Sequence, residues 1–246
     1  MYNDIEETMD TKDFSQREDI QAIIKLRRAR QMAVAILKRG RDAGIPEKYL
    51  RINQKTFSEV LDPDFHGGSV RGVPAFAKDV YSNPDFLLKR DFITIDGGDL
   101  DASARNIAGF AILFRMIAYD KRGKYCSCES VKHKFQTINS TEDITRNDLA
   151  EELKAYDILM LSEFNKSGFN PHFETGSFFD EVLGERSTRG YPTIITFAAP
   201  IVSKKMSQEE MALDGQMDSG CGRQLAMLNL TPQTTKNVLR VRVKSI

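Results

Sequence analysis

The stretch Asp91–Asp120, DFITIDGGDLDASARNIAGFAILFRMIAYD, decides how the rest of the chain is read. Phe92–Ile95 is a short apolar run of the kind that forms a buried strand. Gly97 and Gly98 follow in a glycine-bearing loop, and Ala104–Tyr119 carries apolar residues at helical spacing. Strand, glycine loop and helix in that order make the frame of a phosphate-binding loop. A working loop of that type reads G-x-x-x-x-G-K-[ST]. Its small residues let backbone N–H groups surround the phosphates, its lysine reaches the β/γ oxygens, and its hydroxyl holds magnesium. Here Arg105 stands at the lysine position, Asn106 at the Ser/Thr position and Ala104 at the second glycine. Asp99 stands at the first glycine, unless the loop is one residue longer and Gly98 serves. Asp99 and Asp101 add two carboxylates where phosphate would sit, and like charge repels it.

Outward from that unit, strand-like and helix-like segments alternate. Lys124–Ser127 reads as a second strand and about Glu129–Gln136 as a helix. Thr145–Ala155 is an acidic amphipathic helix, Asp157–Leu161 a buried strand, Phe173–Glu185 a helix and Pro192–Ala198 another buried strand. Val238–Val243 alternates apolar and charged residues, which suits an edge strand. The alternation predicts a mostly parallel, doubly wound α/β sheet. Before it, Met1–Thr11 reads as an acidic tail, and Ser15 with Glu18 forms a capping box. One long or two short helices follow with Ile20, Ile23, Ile24, Met32, Val34, Ile36 and Leu37 as an apolar stripe, stopped at Gly44 and Pro46. Pro74–Tyr81 is a further helix with proline in its first turn.

Composition bounds the class. The 246 residues are 41% apolar and 28% charged, as in a globular domain with an extension. Apolar runs fall far short of a membrane span, the first residues are acidic rather than signal-like, and three cysteines point to a reducing cytoplasmic setting. Lys+Arg 35 balance Asp+Glu 35, which gives no general attraction to nucleic acid. A local basic patch runs from Lys25 to Arg41, and Lys132, His133 and Lys134 form a smaller one; each reads as a solvated helix face or a phosphate contact. Cys126, Cys128 and His133 lack the second ligand pair of a zinc site, so no metal is assigned; both cysteines are expected on one strand face, in packing.

Taken together, the segments resemble the AAA+ domain of DnaC/DnaI-type helicase loaders and the related IstB-type transposition ATPases. Arg41–Tyr49, RDAGIPEKY, resembles the segment that precedes the ATPase core there, and Lys55–Phe65 the stretch after it. Pro84–Gly98 resembles the approach to Walker A, and Asp157–Phe164, DILMLSEF, the Walker B strand. Phe178–Thr196 resembles the segment that ends in the third strand, and Ile201–Ile246 resembles the lid loosely. The resemblance implies an AAA+ P-loop-type doubly wound parallel sheet with helices on both faces, preceded by N-terminal helices. It divides the chain into a helical extension at 1–48, for partner binding, and an AAA+-like domain at 49–246. It implies ATP or ADP with magnesium as cofactor, contacted by Gly97, Gly98, Ser103, Arg105, Asn106, Ser162 and Thr196. It gives Glu163 the water-activating position and makes Arg186 and Arg189 candidates for an arginine finger. It implies a replicative helicase and single-stranded DNA as partners, self-assembly into a ring or spiral, and a viral or mobile-element setting. The departures cluster at the nucleotide: Arg105 for Lys, Asn106 for Thr, Ser162 for Asp and Ala198 for Asn. Little or no ATP hydrolysis is therefore expected. The alternatives are an inactive AAA+ adaptor or inhibitor of a host loader, and an IstB-type transposition regulator.

Overall fold

A computed structural model describes residues 6–64, 72–97, 102–138, 145–164, 174–197 and 237–244. The chain forms two compact units, Met1–Arg39 and Gly40–Ile246. The first is one helix, α1 (Glu6–Asp42), whose last residues enter the second. Among the described residues the helix already runs from Glu6, so the expected tail does not extend to Thr11 and the helix does not start at Ser15. The run from Glu6 holds no glycine or proline before Gly40, and its Glu, Lys, Arg, Gln and Ala residues carry the helix straight through Ser15. The end is a Schellman motif. Gly44 takes φ +86, its N–H meets the Arg41 carbonyl at 2.8 Å, and the Ile45 N–H meets Gly40 at 3.1 Å.

The larger unit begins at Gly40, ahead of the expected division between 48 and 49. The reason is the AGIPEKY segment, which packs into this unit. Ala43, Ile45 and Leu50 are buried, and the Ala43 carbonyl accepts from the Tyr125 N–H at 2.8 Å. Tyr49 stacks on Phe110 with ring centroids 4.4 Å apart. Two short helices follow, α2 (Gln54–Val60), capped by the Asn53 side chain, and α3 (Gly72–Ser82). Their aromatic contact, Phe57 to Phe76 at 6.1 Å, joins them.

Five strands then form one sheet: β1 (Phe92–Gly97), β2 (Gly123–Ser127), β3 (Ile158–Ser162), β4 (Thr193–Thr196) and β5 (Val238–Val243). Their order is β2-β3-β4-β1-β5 and every pairing is parallel. β3 and β4 are buried throughout, whereas β5 alternates buried apolar residues with arginines, as an edge strand does. A bridge from Leu61 to Val243 covers the far end of that edge.

Helices cover both faces. α4 (Ser103–Ala118) crosses one face, with Gly109 lying over Met160 and Thr196. On the other face α5 (Cys128–Thr137), α6 (Arg146–Lys154) and α7 (Glu174–Thr188) bury Val131, Phe135, Leu153, Phe179 and Leu183 against Leu159, Leu161 and Ile195. Cys126 and Cys128 do not share a strand face. β2 stops at Ser127, whose hydroxyl caps α5, so Cys128 begins the helix and is buried in the core. Among the described residues no helix is long and apolar enough to cross a membrane. The expected lid segment lies mostly outside the described residues.

One polar cluster ties α6 to α7. Lys154 is 3% exposed, and its Nζ lies 2.6 Å from Glu181, 2.6 Å from Glu185 and 3.1 Å from Glu151. Burial pulls the Lys154 pKa down, but the three carboxylates more than reverse it and the net shift is upward. The hydrogen bond from Lys154 holds Glu185 below the usual carboxylate range. The lowered Glu185 stabilises the fold above the ordinary Glu range and loses this as pH falls through its folded value. The raised Lys154 stabilises below the ordinary Lys range and is lost only as pH rises beyond it. The cluster is therefore intact from about pH 5 to pH 10. Lys154→Met is expected to lower the urea midpoint at neutral pH, and the gap to wild type is expected to narrow in acid.

Candidate nucleotide edge

In a parallel sheet all strands deliver their C-terminal ends to one edge. A ligand crevice forms where successive connections leave in opposite directions. From β1 the chain runs over α4 to β2 at one side, while β5 lies on the other side of β1, so the crevice falls at the ends of β1 and β4. The structure gathers Gly97, Ser162, Glu163, Thr196 and the first turn of α4 at this edge. Gly98 lies outside the described residues, as does Ala198.

Gly97 ends β1 at φ +85, and a Cβ there would run into the Val243 carbonyl oxygen. Its own N–H is held by Asp96 Oδ1 at 2.7 Å. The chain re-enters at Ala102, which takes a left-handed φ of 61 and has no side-chain cap to offer α4. Ser103 opens the helix, half-buried, and the Asn106 N–H donates to the Ala102 carbonyl at 2.9 Å. Arg105 turns inward. It is fully buried, and its Nη1 donates to the Gly97 carbonyl. The guanidinium thus joins the start of α4 to the end of β1, where a lysine would reach for phosphate.

On the neighbouring strands the substitutions are also satisfied internally. Ser162 is buried, and its Oγ lies 3.0 Å from the Tyr125 hydroxyl. Burial pushes the Tyr125 phenol up, and its hydrogen bond with Ser162 offsets part of that. Tyr125 also packs edge-on against Phe110 at 4.7 Å, which continues the contact from Tyr49. Sequence reading did not single out Tyr125. Its alternation with Ser127 along β2, beside the Walker B-like strand, was the available signal. Glu163 adopts φ 56, a costly conformation for a residue with a Cβ, and the next N–H, of Phe164, bonds the Thr196 carbonyl at 3.0 Å. Thr196 itself is buried beneath α4. Ala102 and Glu163 are two of the three non-glycine residues with positive φ among the described residues, and both flank this edge.

Arg186 and Arg189 are elsewhere. The Arg186 guanidinium is fully buried and donates to the carbonyls of Leu153 (3.0 Å), Tyr156 (2.7 Å) and Pro192 (2.9 Å), and to Thr193 Oγ1 (3.0 Å). These groups surround the N-terminal ends of β3 and β4, the edge opposite Gly97 and Ser162. A guanidinium enclosed there does not reach a neighbouring subunit, so Arg186 is a tie between α6, α7 and β4 rather than a finger. Arg189 is exposed just beyond α7 and pairs with Glu185.

The described residues do not fit a magnesium nucleotide. The cation is directed at a backbone carbonyl, and the position of the metal-side carboxylate is a serine engaged with a tyrosine.

No protein-family profile matches the chain, and no curated protein matches it. Solved structures do. The DnaC helicase loader matches with a TM-score of 0.51 at 12% identity, over 81% of this chain and all of the other. DnaI matches with a TM-score of 0.46 at 12% identity, over 80% of this chain and 90% of the other. The replication initiator DnaA bound to AMPPCP and single-stranded DNA matches with 0.43 at 14%, over 74% of this chain and half of that one. The likeness to the DnaC helicase loader is one of fold: a five-stranded parallel sheet with helices on both faces, preceded in the chain by an N-terminal helix.

Proposed function

We propose that the chain is a replication-initiation protein of the loader type that works as a scaffold. In this reading it binds a replicative helicase through its N-terminal helix and single-stranded DNA along its larger unit, in the cytoplasm, with little or no ATP hydrolysis. The observation that carries the reading is that the nucleotide edge is occupied by its own side chains, Arg105 on the Gly97 carbonyl and Ser162 on Tyr125, within a fold shared with the DnaC helicase loader. Loss of nucleotide chemistry with retention of the frame is expected of a protein kept for its contacts. Ring or spiral assembly, with Arg189 at a subunit boundary, belongs to the same proposal. Co-elution with a replicative helicase at micromolar concentration, with or without ATP, is the expected result. Failure to form that complex overturns the proposal. The same internal occupancy also favours the adaptor reading, in which the chain inhibits a loader. A helicase-loading reaction separates the two: a loader raises the yield of helicase on single-stranded DNA, and an inhibitor lowers it.

A further inference from the structure

We propose that three cations on one face of the sheet's edge, Arg240, Arg242 and Lys244, form a track for the phosphates of single-stranded DNA. The choice of a single strand rests on the loader reading, and the surface is new to it.

β5 alternates along its length. Leu239, Val241 and Val243 are buried. Val238 packs on the core beneath α5, α6 and α7, and Arg240 and Arg242 follow it on that face. Lys244 continues the series, because its N–H donates to the Val60 carbonyl at 3.0 Å and carries the chain on alongside residues 60–62. Arg240 is half-buried, and Arg242 and Lys244 are exposed. Successive members of the row stand about 6.6 Å apart along the strand. Edge strands often carry charge to keep other chains from pairing with them. Here the outer side of β5 is paired already at this end. The Asp62 N–H donates to the Arg242 carbonyl at 3.0 Å, and Leu61 bridges Val243. Side chains stand off the face of a sheet rather than along its edge, so the row guards little by its charge.

The row leads to the same end of the sheet as Gly97. Arg242 is opposite Asp96 in register, and its Cγ lies 3.3 Å from where a Cβ on Gly97 would stand. Asp96 is the carboxylate beside the row, and its Oδ1 already accepts from the Gly97 N–H at 2.7 Å. The chain is neutral overall, so three cations within Arg240–Lys244 are a local concentration of charge. Val241 and Val243 turn into the core, so the row offers charge and N–H donors without an apolar anchor. Protein partners draw affinity from buried aromatic and aliphatic anchors, whereas nucleic acid is held largely through its phosphates. Arginine forks fit phosphate oxygens, and cations repeated along a line follow a repeating backbone without reading bases.

Fluorescence anisotropy of a labelled oligo-dT with the full chain tests this. Arg242→Gln with Lys244→Gln is expected to weaken binding more than about tenfold at about 50 mM salt. The slope of log affinity against log salt is expected to shrink by about 1.4, from about 0.7 per lost phosphate contact, with Tm unchanged. Lys132→Gln with Lys134→Gln removes the same net charge from α5 and is expected to leave binding as in wild type. Equal losses from the two pairs overturn the proposal, and so does a slope that the β5 pair leaves unchanged. Duplex DNA, or polyglutamate at equal charge, displacing the probe as readily as unlabelled oligo-dT also overturns it. A wild type that does not bind the oligonucleotide overturns it together with the DNA arm of the loader reading, while the helicase complex tests the rest of that reading separately.

Discussion

Arg186→Met is expected to cost about 3–5 kcal/mol of stability, seen as a fall of about 10 °C in Tm. The side chain has no exposed surface, and its guanidinium satisfies the carbonyls of Leu153, Tyr156 and Pro192 together with the Thr193 hydroxyl. Methionine fills part of the volume but donates nothing, so several buried acceptors lose their partner at once. Burial pulls the Arg186 pKa down to about 10, with Asp157 and Tyr191 opposing the drop. The group therefore stays charged at neutral and acid pH, and the deficit is expected to persist as pH falls below about 5, where the Lys154 cluster loses its contribution. This separates it from the acid-sensitive Lys154 cluster. Arg186→Lys keeps the charge without the planar fork and is expected to recover only part of the loss. Arg189→Ala, which removes an exposed pair, is expected to change Tm little. Equal losses from Arg186→Met and Arg189→Ala would contradict the structural role assigned to Arg186.

The strands were legible in the sequence because parallel strands buried on both faces read as unbroken apolar runs. Phe92–Ile95 and Ile158–Leu161 could hardly be anything else once flanked by helical spacing. β5 was legible for the opposite reason, since its alternating arginines suit only an edge. α2 was not, because seven residues are too few for a periodic signal and its start depends on a single Asn53 cap. Ser15 misled because a capping pattern marks a start only when the residues before it are not already helical. The role of Arg186 was illegible in principle. Its acceptors come from α6, β4 and the residues before each strand, and no local pattern announces that the fold will close around it.

The site was half legible. Sequence order placed Gly97, Ser162 and Thr196 at corresponding strand ends, and the register puts them on one edge. What the sequence did not convey is that the substituted residues pair with the protein itself. Ser162 engages Tyr125, and Tyr125 leads through Phe110 to Tyr49 of the segment that leaves α1. The position that would hold a metal carboxylate is thereby built into the packing of the segment that follows the N-terminal helix.

Arg105→Ala is expected to lower Tm by about 6–12 °C, from the loss of about 3 kcal/mol, and to do so equally with and without magnesium ATP. The argument turns on what the guanidinium faces. A lysine in a phosphate loop is a point charge directed at its ligand, and its removal is felt mainly when the nucleotide is present. Arg105 is instead fully buried, with Nη1 on the Gly97 carbonyl, so truncation leaves a cavity and an orphaned strand end whether or not nucleotide is added. Wild type is correspondingly expected to show no appreciable thermal shift with magnesium ATP, and calorimetry no binding heat in the micromolar range. Arg105→Lys is the sharper variant. It restores the lysine of the phosphate-loop motif, yet Ser162 still supplies no carboxylate to a metal, so stability is expected to fall with no gain in nucleotide affinity. A wild-type Tm that rises with magnesium ATP, and a rise abolished by Arg105→Ala, would return Arg105 to the role of a phosphate ligand and the chain to the nucleotide binders.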